Sequence, residues 1–181
     1  MDPIEHLLRD HRAIMAELEP LRRAAAELRA RRPGALEAAL PALEAAARMM
    51  ATRLLRHARK EDEALFPAVE TALAGAGPTA VMREEHRAIH ERAARFRETL
   101  RQLEEVEHPA IVAGGARLRA LAAGPADAGV LAETAGEILE LLDLHFGKEE
   151  DILFPMVREI LSPTTRAEVA QRMEAIEAEA G

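Results

Sequence analysis

An eleven-residue phrase that occurs twice constrains this chain more than anything else in it. His57-Ala-Arg-Lys-Glu61-Asp-Glu-Ala-Leu-Phe66-Pro67 returns as His145-Phe-Gly-Lys-Glu149-Glu-Asp-Ile-Leu-Phe154-Pro155, each copy reading H-x-x-K-E-x-x-x-L-F-P. Histidine and glutamate four residues apart on a helix project from one face. Two such faces turned toward each other bring imidazoles and carboxylates into one layer.

The phrase is written in a helical vocabulary. Ala, Leu, Glu and Arg dominate the 181 residues, and these are good helix formers. No stretch alternates apolar and polar residues with β-branched enrichment, so the reading is all-α. Glycine and proline divide the chain into a first helix from Asp2 or Pro3 to about Arg31 and a second from about Ala35 to Ala74. A third runs from Thr79 to about Glu107 and a fourth from about Val130 to Leu161. The stretch from His108 to Gly129, with Pro109, Gly114, Gly115, Gly124 and Pro125, is expected to be irregular with a short helix inside. Ser162-Pro163 opens a last helix as N-cap and N1 proline.

The halves repeat beyond the opening phrase: Asp10-His11-Arg-Ala-Ile14 matches Glu85-His86-Arg-Ala-Ile89. Each half is then one helical hairpin, with a histidine on its first helix and H-x-x-x-E on its second. His11 and His57 are each some 20 residues from the turn between them, roughly 30 Å at 1.5 Å per residue, so they meet at one level. The fold predicted is an antiparallel up-down four-helix bundle over 1–161. Residues 162–181 add a C-terminal helix, with Val169, Met173 and Ile176 on one stripe, packed on the bundle or mediating a homodimer.

Composition excludes several functions. The net charge of −8, with basic residues interleaved among acidic ones, leaves no basic footprint for nucleic acid. The N-terminus carries no apolar leader, and no run approaches the roughly 20 apolar residues of a membrane span, so a cytoplasmic location is expected. Cysteine is absent, which removes disulfides and thiolate metal sites.

The candidate ligands are His11; His57 and Glu61; His86 and His90, again four apart; and His145 and Glu149. Leu54, Leu65, Leu142 and Leu153 flank the second- and fourth-helix pairs and place them on the apolar stripe. One H-x-x-x-E is an ordinary helical pair, but two in matching context with three further histidines imply a metal site, since burying such a set alone costs too much. Nitrogen and oxygen donors suit iron, manganese or zinc. Seven are too many for one tetrahedral ion, so two are expected. Glu150 and Asp151 are alternatives to Glu149, which the repeat favours. His6 reads as a surface histidine, His108 as structural or exposed, and Lys60 and Lys148 as snorkelling side chains. Pro67 and Pro155 are expected to kink their helices and seat Leu65/Phe66 and Leu153/Phe154 over the site.

This pattern resembles the hemerythrin family, in particular its bacterial H-H-E cation-binding branch, over residues 3–161. The resemblance implies two non-haem iron ions in an oxo/hydroxo-bridged di-iron centre. His86, His90 and His145 would serve one iron, His11 and His57 the other, and Glu61 and Glu149 would bridge. It further implies that the second iron has a position open for O₂, NO or peroxide. Aligning the halves places Met15 opposite His90, so Met15 is expected to line the small-ligand pocket. The expected function is O₂ or NO binding as carrier, store or sensor, with no catalytic residue named. The alternatives are a di-iron oxidoreductase consuming peroxide or NO, or an iron-handling protein.

Overall fold

The computed structural model describes residues 2–32, 34–75, 77–112 and 125–179, with side chains described outside 103–112 and 125–127. Five helical rods account for them, and no strand occurs among the described residues. Helix α1 is Pro3–Arg29. Helix α2 is built from Ala35–Met49, Met50–Leu54, Leu55–Lys60, Glu61–Leu65 and Phe66–Leu73. Helix α3 is Thr79–Val112, and α4 joins Pro125–Lys148, Glu149–Leu153 and Phe154–Ile160. Helix α5 is Pro163–Ala178.

The helix ends follow local chemistry. Asp2 caps α1 by accepting the Ile4 amide at 2.9 Å, and Ser162 caps α5 by accepting the Thr165 amide at 3.1 Å. In both, proline takes the first helical position, where a missing N–H costs nothing. Gly34, at φ 76°, supplies the left-handed turn before α2. Two boundaries differ from the sequence reading. Helix α3 continues to Val112, carrying Pro109 inside it at the cost of one backbone bond. Helix α4 starts five residues early because Pro125 takes its N1 position. The short helix expected after His108 falls largely on 113–124, outside the described residues, and the side chain of His108 is also outside them.

Cross-helix pairs show neighbouring rods running in opposite senses. Asp10 meets Lys60 and Glu17 meets Arg53 between α1 and α2. Asp62 meets His86 and Glu70 meets Thr79 between α2 and α3. Glu85 meets His145 and Arg92 meets Glu137 between α3 and α4. His11 meets Glu150 and Arg22 meets Asp143 between α1 and α4.

The core divides in two. One cluster contains Ile14, Leu18, Leu21, Leu43, Phe96, Leu131, Leu142 and Phe146 among others. The second contains Ile4, Leu7, Leu65, Phe66, Val69, Leu153, Phe154 and Val157, closed by Val169, Met173 and Ile176 of α5. A polar layer lies between them. Three wide π turns also shape the rods, and two of these, Glu61–Leu65 and Glu149–Leu153, begin at the glutamates of the repeated phrase. There the amides of Phe66 and Phe154 bond carbonyls five residues back, at Glu61 and Glu149. Pro67 and Pro155 follow at once, so the distortion expected of them takes the form of a π turn, a feature frequent at functional sites.

Helix α5 completes the second cluster, so its apolar stripe is structural. Met173→Ala, at a fully buried position, is expected to cost about 2–5 kcal/mol of unfolding free energy. A urea titration followed by far-ultraviolet circular dichroism measures it, and an unchanged midpoint would contradict this packing role.

Candidate metal centre

The polar layer between the clusters consists of His11, His57, Glu61, His86, His145 and Glu149, each at most 3% exposed. Their donor atoms form two groups. His11, His57, Glu61 and Glu149 offer atoms all within 4.8 Å of one another, and so do Glu61, His86, His145 and Glu149. The two carboxylates belong to both groups. The structure thus brings six of the seven candidate ligands of the sequence reading into one contiguous layer. His90 stands apart from these groups, half-buried, its ring centroid 6.4 Å from that of His86.

Burial on this scale leaves hydrogen-bonding capacity unmet. Both oxygens of Glu61, both of Glu149, and Nε2 of His86 and His145 lack a well-aligned hydrogen bond, although Nε2 of His86 lies 3.2 Å from Oε2 of Glu61 and that of His145 3.3 Å from Oε1 of Glu149. Nε2 of His11 lies 3.2 Å from Nε2 of His57 and 3.2 Å from Oε2 of Glu149. Buried polar atoms are normally paired, and an inward convergence of unpaired carboxylate oxygens with imidazole nitrogens is the donor set of a cation site. Oxygen and nitrogen donors without sulfur fit a borderline or hard divalent ion such as iron, manganese or zinc.

The outward-facing nitrogens are met by a second set of acids, which the sequence reading missed as a set. Nδ1 of His11 is 2.7 Å from Glu150, that of His86 is 3.2 Å from Asp62, and that of His145 is 3.0 Å from Glu85. Nδ1 of His57 lies 3.5 Å from Asp10, the loosest of the four. Each acid is the chain neighbour of a buried donor on one helix and serves the histidine of the next. The contacts thus circle the bundle: α1 holds α2, α2 holds α3, α3 holds α4, and α4 holds α1. A carboxylate on Nδ1 fixes the ring and its tautomer and leaves Nε2 free as a ligand. Glu150, an alternative ligand from sequence, occupies this outer position. The available signal was the acid beside each ligand in both halves: Asp10 and Glu85, Asp62 and Glu150.

Lysines of the phrase hold two of these acids. Lys60 contacts Asp10, and Lys148 contacts Glu85. Lys148 is 42% exposed, in keeping with a snorkelling side chain. Lys60 is instead 2% exposed, because α5 covers it and supplies Glu177 as a partner. His6 is likewise half-buried against Lys60, at 3.0 Å, and not a plain surface residue.

Aromatic rings close the layer. Phe66 stacks near His86 and Phe154 near His11, at centroid distances of 5.7 and 5.5 Å. Phe146 stacks on His11 at 3.9 Å. The repeat places Ala58 where the second half has Phe146. Beside Ala58 lies a small cavity bounded also by Leu54, Ile89, Leu142 and the rings of His57, His86, His90, His145 and Phe146, with room for about one water-sized molecule. Met15 is not among its lining residues; it is half-buried and packs against the first core cluster.

Charge distribution in the layer is uneven. For His86, burial pushes the pKa down, but Asp62 and Glu61 outweigh it and raise it to about 9. For His11, burial and the neighbouring His57 push it down to about 3. Burial and the facing Glu61 raise the Glu149 carboxyl well above the usual range. His86 therefore holds a proton at neutral pH in the metal-free protein. That proton stabilises the metal-free fold below pH 6.5 and its contribution is lost as pH rises through about 9. Ligation requires neutral imidazole, so ion binding at pH 7 is expected to release a proton from His86 and to weaken as pH falls. Titration in lightly buffered solution with a pH indicator measures the release; uptake independent of pH between 6 and 9 would contradict it.

The outer acids give a second expectation. Asp62→Asn should lower metal affinity by about 10–100-fold, whereas Asp151→Asn, on the exposed side of α4, should leave it unchanged. Competition with a chromophoric chelator reads both.

Comparison with known proteins agrees with this geometry. A family model, the hemerythrin HHE cation binding domain, matches residues 2–107 and 102–180. No curated protein and no solved structure matches. The matched span takes in every donor of the buried layer, and the chain belongs to the hemerythrin HHE cation-binding domain family.

Proposed function

We propose that this protein holds two non-haem iron ions in the buried layer and binds O₂ or NO there reversibly, as a carrier, store or sensor. The observation that carries the reading is the sharing of Glu61 and Glu149 by two overlapping four-donor groups. Two carboxylates common to both groups suit a pair of ions bridged by them, which also compensates charges that neither carboxylate can lose to solvent. In this reading His11 and His57 serve one ion and His86 and His145 the other. His90 joins the second across the small cavity, for which Ala58 leaves the space.

The iron pair would supply the electrons that small-molecule capture requires. The chain supplies the surroundings. Glu150, Asp10, Asp62 and Glu85 orient the rings. Phe66, Phe146 and Phe154 exclude water around the imidazoles. The cavity beside Ala58 reaches His57 as well as His86 and His145, so it adjoins both donor groups. Tyrosine and tryptophan are absent from the sequence, which leaves no phenol or indole to relay electrons outward. That favours binding over oxidative turnover. Met15, which the repeat aligns with His90, is where a third nitrogen is withheld from the His11/His57 ion.

Anaerobic loading with Fe(II) followed by admission of air tests the reading. Two irons per chain are expected, with near-ultraviolet and visible bands that appear in air and fade under vacuum. Met15→His is expected to suppress those bands while leaving iron uptake intact. Irreversible oxidation with turnover of peroxide or NO would replace the binding role by an oxidoreductase, and one ion per chain would overturn both.

A further inference from the structure

Lys60 is the most anomalous side chain outside the metal layer. A lysine is almost never fully buried unless its charge is paired, and this one is 2% exposed. Its ammonium has three donors and meets three partners: Asp10 Oδ2 at 2.8 Å, His6 Nε2 at 3.0 Å, and Glu177 of α5. The same Asp10 oxygen lies 3.5 Å from Nδ1 of His57. One carboxylate oxygen is therefore shared between Lys60 and a ligand imidazole. Among the four outer pairs this is the one stretched beyond hydrogen-bonding distance, and it is the one whose lysine is covered by α5. In the other half Lys148 also meets the acid beside its histidine, but no helix covers it.

We propose that the C-terminal helix is thermodynamically linked to the His11/His57 half of the metal layer through Glu177, Lys60 and Asp10, which act as positioning residues. The inference rests on the two-ion reading above. Metal on Nε2 of His57 makes its Nδ1–H a stronger donor and draws Asp10 toward the ring. Lys60, losing part of its hold on Asp10, turns its charge to Glu177, and α5 docks more firmly. By reciprocity, a firmly docked α5 leaves Asp10 freer to hold His57 and tightens the metal. Other ion pairs also fasten α5: Arg59 to Glu179 and Arg172 to Glu63 do not touch Lys60, and Arg56 takes the other oxygen of Glu177 at 2.6 Å. They secure the helix without connecting it to the ligand.

The experiment compares the full-length protein with Glu177→Gln, Lys60→Met and Glu179→Gln, each with and without Fe(II) under anaerobic conditions. Hydrogen exchange of residues 163–178 reports on α5, and equilibrium competition with a ferrous chelator reports on the affinity for the metal. In the parent, loading should slow exchange in α5 by about tenfold, the same factor by which α5 docking tightens the binding of one of the two irons. Glu177→Gln and Lys60→Met should abolish the metal-dependent part of that protection. Glu179→Gln should loosen α5 but keep it. Glu177 is 44% exposed, so its variant decides the matter even if Lys60→Met fails to fold. If the parent binds two irons but α5 exchanges equally with and without them, or if Glu177→Gln behaves like Glu179→Gln, the linkage is overturned and the two-ion reading stands. If the parent binds fewer than two irons, that reading falls and the linkage falls with it.

Discussion

Two carboxylates, Glu61 and Glu149, lie wholly out of water in the middle of the bundle, and the rest of the structure is arranged around that fact. Isolated buried carboxylates are costly enough to unfold a domain of this size. Here four imidazoles approach them from four helices, and four further acids steady those imidazoles from outside. Apolar clusters above and below then isolate the polar layer. The layer is thus a set of mutually dependent charges whose balance favours a cation at the centre, and removing one member leaves others uncompensated.

Departures from the repeat matter as much as the repeat. Both halves keep histidine, lysine, glutamate, leucine, phenylalanine and proline at matching places, and both open a π turn at the glutamate. Three of their differences bear on the layer: Met15 and His90, Ala58 and Phe146, and the environments of Lys60 and Lys148. The first two act together. Phe146 stacks on His11, while beside Ala58 a cavity is left among His57, His86, His90, His145 and the edge of Phe146. The third ties only one half to the C-terminal helix. A nearly twofold scaffold thus carries a site with distinct ends.

What could be read from the sequence followed periodicity. A spacing of four names the face of a helix, so the layer of six donors and its place on the apolar stripe were legible before any coordinates. Prolines and glycines marked most helix ends, because their backbone limits act locally. The outer acids were not legible as such. A residue next to a ligand points about 100° away on its own helix, and its purpose appears only once the neighbouring helix is known. Lys60 was misread for the same reason: its burial depends on α5, which arrives from more than 100 residues later in the chain. Pro109 within α3 shows the reverse limit, a local breaker overridden by the helix around it.

The circular order of the outer contacts has a consequence for how such a molecule can be taken apart. Asp10 to His57 and Glu85 to His145 lie within a hairpin, whereas Asp62 to His86 and Glu150 to His11 pass between hairpins. A lone hairpin would leave one histidine without its acid and one acid without its histidine. Two copies of a single hairpin, set face to face about a twofold axis, would close the same circle with nothing left over. The covalent join between the halves is then dispensable to the chemistry of the layer. What the join permits is inequality, since two identical hairpins could not carry methionine on one side and histidine on the other.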